Sequence, residues 1–367
     1  MPESRRTSSL KKGTHSTMPS RRSTVGLLIT VRCPVGCSHC ILQAGGLHWG
    51  EPTPASYRRW VRSIAESGVI RNIGLTGGEP FAVYDTLLDI VPLIRSYGLH
   101  PNVLTSAYWA TSDAQTEKLL RPLAQAGLEG LGISVDEFHQ AKVPIQNVLR
   151  ALRTAKRLGL WVGVAFCYFD QGRDPATEAE AARAELRDVL GEEAFAQVDV
   201  INLNPIQKAG RAQQGVEFPT PSSKVQRKST RVCTALTPSI WPDGSFACCC
   251  GPRLSKTSPL VLGNLNHDPF AELYQRYRKH PILPFLHVWG LTKMVEELRA
   301  NGLGEDLEGY DAPHEICRLC QKMLINERYA AFFVERFEEP VLRRQLGVER
   351  FLLYGDPEPL LSTRRVR

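Results

Sequence analysis

Between residues 24 and 204, short apolar runs alternate with segments whose apolar residues recur at helical spacing. Runs of this length are typical of buried strands, and the segments between them predict amphipathic helices. The predicted strands are residues 25–31, 72–75, 102–105, 130–135, 161–168 and 198–203, and the predicted helices are residues 54–67, 83–97, 113–125, 145–158 and 177–190. Consecutive strand–helix units favour a parallel sheet. Because a closed barrel needs eight units and this chain has six, we expect an α/β fold with a partial (β/α)6 parallel barrel.

The repeating pattern breaks at Pro205, and polar, loop-like sequence follows to residue 231. The stretch from residue 232 to 322 has no clear repeat, yet it contains six of the ten cysteines. We therefore expect a second, smaller module that is organised by metal. The expected divisions are a disordered basic arm (1–22), the partial barrel (23–212), the smaller module (213–325), and a C-terminal segment (326–367) with a helix over 327–346 and a basic tail.

The composition is that of a folded protein, with 43% hydrophobic and 23% charged residues. This excludes a mainly disordered chain. No apolar run approaches the roughly 18–20 residues that span a bilayer, and the N-terminus lacks the apolar segment of a secretory signal. We therefore expect a cytoplasmic protein with no membrane partner.

The net charge of +7 raises one alternative, a non-catalytic iron–sulfur or zinc protein that binds nucleic acid. The charge is unevenly placed, however. Residues 1–22 contain six basic residues and one acidic residue, so this arm carries +5 and the rest of the chain carries +2. A nearly neutral body offers no broad basic surface for phosphates. We therefore do not expect nucleic acid among the partners.

The ten cysteines are too few for a disulfide scaffold in a chain of this length, and their clustering points to metal or redox chemistry. Directly after the first predicted strand the sequence is Cys33-Pro-Val-Gly-Cys37-Ser-His-Cys40. A structural zinc site needs four closed ligands, and a ferredoxin cluster needs four cysteines. Three thiolates on a four-iron cluster would leave one iron open to bind a substrate or cofactor.

Polar motifs also follow the later predicted strands. They are Gly77-Gly78-Glu79-Pro80 after the second strand, Ser134-Val-Asp136 at the end of the fourth, Cys167 near the end of the fifth, and Asn204-Pro205 with Gly210-Arg211 after the sixth. The carboxyl ends of parallel strands meet at one edge of a sheet, where α/β enzymes build their active sites. The sequence therefore predicts one site at that edge.

The three-cysteine motif after the first strand, the Gly-Gly-Glu-Pro motif after the second and the six βα units together resemble the radical S-adenosylmethionine (radical SAM) superfamily. The resemblance covers roughly residues 24–212. It implies that Cys33, Cys37 and Cys40 bind a 4Fe-4S cluster. The fourth iron of that cluster would chelate the amino and carboxylate groups of S-adenosylmethionine.

The resemblance also implies which side chains bind the cofactor. The two glycines would let the backbone approach its methionine end, and the glutamate would accept a hydrogen bond from its ammonium group. The Ser-Val-Asp segment matches a position that bonds the ribose, a histidine stands where the family usually has an aromatic residue near the adenine, and an arginine lies in a Gly-Arg-Ala segment found in related enzymes. These cofactor-binding candidates are Gly77, Gly78, Glu79, Ser134, Asp136, His39 and Arg211.

The implied cofactor brings a radical mechanism with it. An electron donor of the flavodoxin or ferredoxin type would reduce the cluster, and S-adenosylmethionine would then be cleaved to a 5′-deoxyadenosyl radical. That radical would abstract hydrogen from a substrate C–H bond in a site that excludes water. A redox-neutral reaction needs a thiol as hydrogen donor, and the catalytic candidates are Cys167 and Cys250. The alternative for Cys167 is a small buried apolar residue, and His139 is expected to begin a helix.

The distal cysteines resemble the SPASM/twitch auxiliary-cluster domains of the same superfamily. Cys233, Gly244 and Cys249 match the spacing at the start of such domains, and Pro242-Asp243-Gly244 fits their hairpin turn. A Gly-Asn strand end (262–265), a short helix (269–274) and a Cys-x2-Cys pair follow in order. The resemblance implies one auxiliary 4Fe-4S cluster, and its expected ligands are Cys233, Cys249, Cys317 and Cys320.

The cysteine triplet at 248–250 leaves one ligand open. On a strand, Cys249 would point away from its two neighbours. Spacing favours Cys249 as the ligand, with Cys248 or Cys250 as the replacement, and a spare thiol would be available as a hydrogen donor. For Cys317 and Cys320 the alternative is half of a structural zinc site.

Two substrate classes are consistent with the resemblance. Similar enzymes are maturases of peptides, which crosslink, oxidise or epimerise residues, or dehydrogenases and epimerases of small sugar-like or aminocyclitol molecules. About 23 residues precede the first strand, so a peptide substrate would call for a separate peptide-recognition protein or a short-leader mode. A small-molecule substrate would need neither.

Overall fold

The computed structural model describes residues 24–46, 51–219, 232–235, 237–249, 251–252, 254–310 and 312–354. The expected basic arm, the basic tail and Cys250 lie outside this described part of the chain. Within it, one sheet has the strand order β6-β5-β4-β3-β2-β1-β7-β8-β9. The strands are β1 (Thr24–Thr30), β2 (Asn72–Gly77), β3 (His100–Thr105), β4 (Gly130–Ser134), β5 (Trp161–Tyr168), β6 (Val200–Pro205), β7 (Ser239–Ile240), β8 (Ser245–Ala247) and β9 (Val261–Asn264).

Helices fill most of the connections between these strands. The helices are α1 (Pro54–Glu66), α2 (Tyr84–Ser96), α3 (Asp113–Gln125), α4 (Glu137–Gln140), α5 (Ile145–Arg157), α6 (Pro175–Leu190), α7 (Glu192–Phe195), α8 (Ala212–Gly215), α9 (Phe270–Arg278), α10 (Gly290–Ala300), α11 (Ile316–Ile325), α12 (Glu327–Phe337) and α13 (Pro340–Tyr354). No helix of the described residues combines the length and apolarity needed to cross a membrane.

The first six strands are parallel, and each pairs with the next in chain order. Val25, Leu27 and Ile29 of β1 are fully buried, as expected for a parallel sheet with helices packed against it. The sheet runs from β6 at one edge to β9 at the other without closing. The predicted α/β fold with a partial, open barrel is therefore confirmed, and the bounds of its six predicted strands are correct to within two residues.

Helix α1 shows why spacing predicts the helices well. Its side chains on one stripe face the core and the remainder face solvent. Thr53 caps the helix, because its Oγ1 accepts a hydrogen bond from the backbone N–H of Ser56 at 3.2 Å. The buried stripe consists of Tyr57, Trp60, Val61 and Ile64.

The cysteine-rich segment extends the same sheet. β7 runs parallel to β1, with Gly26 opposite Ser239 and Leu27 opposite Ile240. β8 and β9 then continue in antiparallel fashion, and Gly244, with φ of 85°, completes the predicted hairpin turn. The segment is therefore joined through β1 to the strand that leads into the first cysteine motif.

The prediction of a single C-terminal helix over 327–346 is wrong. Two helices, α12 and α13, occupy this region, and they are separated at Glu338 and Glu339. Pro340 explains the break, because proline lacks the N–H that a helix interior needs but is favoured in a first turn.

Candidate active site

Arg211 holds the loop that carries Cys33, Cys37 and Cys40. Its Nε donates to the carbonyl oxygen of Cys37 (2.9 Å), and its Nη1 donates to that of Ala44 (2.6 Å). Its backbone N–H donates to the Cys40 carbonyl oxygen at 3.0 Å. Arg211 follows β6 and the cysteine loop follows β1. Arg211 therefore joins the loop after β6 to the loop after β1.

Gly77 and Gly78 let the end of β2 approach the cysteine loop. A Cβ atom at Gly77 would lie 2.2 Å from the carbonyl oxygen of Thr30, and one at Gly78 would lie 2.1 Å from that of Arg32. Gly77 also has φ of 127°, a conformation that favours glycine. The Gly78 N–H donates to Thr30 O at 2.7 Å. The two glycines therefore pack the second motif directly against the first.

Glu79 is 1% exposed, and both its carboxylate oxygens accept hydrogen bonds from the chain. Oε1 accepts from Thr105 Oγ1 (2.7 Å) and the Phe81 N–H (3.1 Å). Oε2 accepts from the Ser106 N–H (2.8 Å) and Ser106 Oγ (2.6 Å). Burial raises the pKa of Glu79, and these donors act against that rise. The carboxylate thus ties the motif after β2 to the end of β3, and the expected contact with an ammonium group would come in addition.

Asp136 and His139 form a buried pair beyond β4. Asp136 Oδ1 caps α4 by accepting from the His139 N–H (2.9 Å), and Oδ2 lies 2.8 Å from His139 Nδ1. Burial alone would lower the pKa of His139, but its hydrogen bonds to Asp136 and to the Cys37 side chain raise that pKa to about 10. His139 thus lies at a helix start, as expected, and also places a positive charge beside the cysteine loop. Ser134 is half-buried at the end of β4.

His39 and Cys167 complete this group. The side-chain ligand atoms of His39, Asp136 and Cys167 lie within 4.8 Å of one another, and so do those of Cys37, His39 and His139. Burial lowers the pKa of His39 to about 4. Burial also raises the pKa of Cys167 well above its usual value, and the nearby Asp136 carboxylate adds to the rise. Cys167 is therefore a protonated thiol at the predicted edge of the sheet.

Three buried polar atoms of the described residues around this group have no hydrogen-bond partner. They are His39 Nδ1, Gln140 Nε2 and Arg211 Nη2. A buried polar group left without a partner costs about 1–3 kcal/mol. Three such atoms in one place fit a polar ligand bound at this edge of the sheet.

Four distal cysteines meet in a second place, although three separate segments supply them. Cys233 precedes β7, Cys249 follows β8, and Cys317 and Cys320 lie on α11. Burial raises the pKa of Cys320 well above its usual value, and the neighbouring thiols of Cys233, Cys249 and Cys317 raise it further. The four expected auxiliary ligands are therefore neighbours.

Cys248 and Cys249 occupy different surroundings. Cys248 is 0% exposed and belongs to the main hydrophobic core, and its backbone N–H donates to the carbonyl oxygen of Leu260 at 2.8 Å. Cys249, by contrast, is a neighbour of Cys320. This difference favours Cys249 as the ligand over Cys248, while Cys250 lies outside the described residues.

The spacing of the sulfur atoms does not match a preformed zinc site in either set. Thiolates around a tetrahedral zinc, with Zn–S of about 2.3 Å, lie about 3.8 Å apart. Among the described residues, no three cysteine sulfurs of either set lie within 4.8 Å of one another.

Sequence reasoning missed Thr105 and Ser106, which bond Glu79. They come at the carboxyl end of β3, the same position that marked the motifs after the other strands, so the signal was present. The partners of His139 were missed as well, because pairing across α4 depends on how the helix is set against the cysteine loop.

Comparison with known proteins identifies the barrel. The profile of the Radical SAM superfamily matches residues 27–183. This range contains the cysteine loop, the Gly-Gly-Glu-Pro motif and Asp136. Residues 27–183 are a radical SAM domain. Such a domain implies an enzyme that uses a 4Fe-4S cluster and S-adenosylmethionine.

Two relatives match this chain over different lengths. The "Putative peptide biosynthesis protein YydG" of Bacillus subtilis (strain 168) is 19% identical over 321 residues, which are 86% of this chain and 96% of that protein. The GTP 3′,8-cyclase of Paenarthrobacter nicotinovorans is 32% identical over 125 residues, which are 33% of this chain and 34% of that protein. The match to YydG thus extends far beyond the radical SAM domain.

Two solved structures are similar at low identity. The structure of anSMEcpe with bound AdoMet gives a TM-score of 0.48 at 14% identity and covers 87% of this chain and 97% of that chain. The structure of BtrN in complex with AdoMet and 2-DOIA gives a TM-score of 0.46 at 14% identity and covers 75% of this chain and 91% of that chain.

Proposed function

We propose that this radical SAM enzyme modifies a peptide by abstracting hydrogen from one of its C–H bonds, and that its C-terminal segment binds one auxiliary 4Fe-4S cluster. The observation that carries the peptide class is the similarity to YydG, a protein named for peptide biosynthesis, over 86% of this chain. The modification is an oxidation, a crosslink or an epimerisation.

The residues at the barrel edge fit the implied cofactors. Cys33, Cys37 and Cys40 would hold the 4Fe-4S cluster on their loop, and the unpartnered atoms of His39, Gln140 and Arg211 would bond polar groups of S-adenosylmethionine. When bound, the 4Fe-4S cluster and S-adenosylmethionine together supply the carbon radical that abstracts hydrogen.

The residues around the cysteine loop hold it in place and carry charge next to it. Arg211 fixes the backbone of the cysteine loop, and Glu79 joins the motif after β2 to the end of β3. The His139 cation, held by Asp136 and bonded to Cys37, offsets negative charge on the thiolates. Cys167 remains protonated beside Asp136 and is the described candidate for a hydrogen-donating thiol.

The auxiliary cluster is supported by the meeting of Cys233, Cys249, Cys317 and Cys320 around one thiol. A site with four cysteines leaves no iron open, so it would store or pass an electron rather than bind substrate. An electron donor of the flavodoxin or ferredoxin type is the expected partner for the open site.

The experiment is an anaerobic reconstitution with iron and sulfide, followed by addition of dithionite and S-adenosylmethionine. We expect about eight iron atoms per chain, four for each cluster, and formation of 5′-deoxyadenosine. About four iron atoms with the same product would remove the auxiliary cluster from the proposal. Bound zinc without cleavage would remove the radical mechanism.

The substrate class is tested with the same preparation. The assay is run in D2O, because oxidation and crosslinking remove hydrogen whereas epimerisation changes the mass only when deuterium is taken up. Random decapeptides should yield peptides of altered mass, whereas free aminocyclitols and sugars should be recovered unchanged. Conversion of an aminocyclitol or sugar, with every peptide unchanged, would assign the enzyme to the small-molecule class instead.

A further inference from the structure

A row of five aromatic rings runs from the barrel site toward the distal cysteines. The ring of His39 lies 4.8 Å from that of Phe138, Phe138 lies 5.7 Å from Phe169, and Phe169 lies 5.8 Å from Phe218. Phe218 then stacks on His314 at 4.4 Å. All four separations, measured between ring centroids, lie in the range of direct aromatic contact.

The two ends of the row adjoin the two cysteine sets. His39 immediately precedes Cys40, and His314 comes three residues before Cys317. The three phenylalanines between them follow β4, β5 and β6 respectively, and therefore lie on the carboxyl edge of the sheet. The row thus follows the edge of the barrel from one set of thiols to the other.

Burial changes along the row. The His39 side chain is 10% exposed and His314 is 8% exposed, while the three phenylalanines between them are half-buried. Phenylalanine has no polar atom and no proton to transfer, so these rings neither relay protons nor bond a polar group. Partly exposed apolar rings beside a reactive centre gain free energy when an apolar partner covers them.

Three charged groups near the His314 end are paired with one another. Glu315 is 4% exposed, accepts from Arg318 at 3.0 Å and lies 3.6 Å from Lys208 Nζ. At the other end, Asp136 is paired with His139. Asp170, which adjoins Phe169, also lies near His314 and accepts from the Gly172 N–H at 2.7 Å. Between these charged groups the three phenylalanine rings are uncharged, so they would bind an apolar side chain rather than a charged one.

We propose that Phe138, Phe169 and Phe218 bind the apolar side chain of the peptide residue that the enzyme modifies, and so determine its substrate specificity. This rests on the proposed peptide function. The row places such a residue between the radical-generating edge and the distal thiols, and it predicts Val, Ile, Leu, Met or Phe at the modified position.

The test uses the reconstituted protein with S-adenosylmethionine, dithionite and a library of random decapeptides in D2O. Tandem mass spectrometry identifies each residue that loses hydrogen or gains deuterium. The variants are Phe169→Ala and Phe218→Ala, with Phe169→Leu to keep an apolar side chain. Phe195→Ala is the matched control, because Phe195 is also half-buried but ends α7, ahead of β6.

We expect wild-type protein to modify apolar residues and both alanine variants to lose roughly tenfold in the ratio of apolar to polar modified residues. Phe169→Leu and Phe195→Ala should keep the wild-type ratio. Modified peptides without apolar enrichment, or with the same enrichment in Phe169→Ala, would overturn this inference while leaving the peptide function intact. A wild-type protein that cleaves S-adenosylmethionine but modifies no peptide would overturn both.

Discussion

The two cysteine sets differ in how the chain builds them and in what surrounds them. The barrel set comes from eight consecutive residues of one loop, from Cys33 to Cys40. The distal set is gathered from three segments between Cys233 and Cys320. Around the barrel set lie a charged pair and three unpartnered polar atoms. Next to the distal set lies the main core, to which Cys248 belongs.

This contrast supports the two different purposes that we propose for the two cysteine sets. Three thiolates on a loop beside unsatisfied polar groups leave room for a ligand, which is the arrangement of a reactive metal site. Four cysteines beside the hydrophobic core would complete the ligands of the auxiliary cluster that we propose, an arrangement that suits electron transfer. Removing members of each set should therefore have different consequences.

The largest effect is expected for Cys37→Ser. The barrel cluster would lose one of three thiolates and the bond from His139, so formation of 5′-deoxyadenosine should fall to background. About four iron atoms should remain in the distal set. Product assay and iron analysis on one preparation measure both quantities.

Cys167→Ala is the control for this change, because Cys167 also lies in the barrel group but is not an expected ligand. It should keep about eight iron atoms, four for each cluster, and should still cleave S-adenosylmethionine. Full cleavage by Cys37→Ser would contradict the assignment of the barrel set.

The next prediction compares the iron content of two variants, one in the distal cysteine set and one in the core beside it. Cys249→Ala should lose about four iron atoms yet still form 5′-deoxyadenosine, because the barrel cluster is untouched. Cys248→Ala should keep all its iron, since Cys248 packs in the core. If Cys248→Ala loses iron and Cys249→Ala does not, Cys248 is the cluster ligand and our assignment of Cys249 is wrong.

The barrel site was more predictable from sequence than the distal segment, for a physical reason. Parallel strands place their carboxyl ends at one edge, so motifs after β1, β2 and β4 had to meet once the strands were recognised. Cys33, Glu79 and Asp136 are accordingly on one edge. Even there, the partners of Glu79 on β3 depend on side-chain directions that strand order alone does not give.

The joining of β7 to β1 could not be read from the sequence. β7 has two residues and β8 has three, and such short runs carry no usable period. Their pairing with β1 is decided by contacts over more than two hundred residues of chain, such as Gly26 with Ser239. The break before α13 falls at Pro340, but a proline alone does not reveal a break, because Pro92 and Pro122 lie inside α2 and α3.

A smaller effect, on the stability of the protein, is expected when Glu79 in the barrel site is changed to glutamine. In the wild-type protein, the Thr105 and Ser106 hydroxyls donate to the Glu79 carboxylate. In Glu79→Gln, the amide nitrogen would replace one of those oxygens, so one of these hydroxyl donors would face another donor. A buried donor left unsatisfied costs about 1–3 kcal/mol, so the thermal midpoint should fall measurably. Glu51→Gln is the control, because Glu51 accepts from Thr30 Oγ1 on the same side of the sheet but is 31% exposed. Equal midpoints for both variants would mean that Glu79 does not support the fold.

The smallest effect concerns the core beside the distal set. His287 is 1% exposed, and the carbonyl oxygen of its neighbour Leu286 accepts from the Cys233 N–H at 3.0 Å. Burial, with the nearby Arg350 charge, lowers the pKa of His287 to about 3 from a usual 6.5.

The neutral form of His287 is therefore favoured in the folded protein. Its stabilising contribution is present above pH 6.5 and is lost as the pH falls toward 3. Between pH 7.5 and 5.5 this amounts to roughly 1 kcal/mol, the free energy of about one unit of pKa difference. Thermal unfolding of wild-type protein should show that loss, and His287→Gln should reduce it, while the exposed His267→Gln should not. An unchanged pH dependence in His287→Gln would show that the loss of stability comes from a group other than His287.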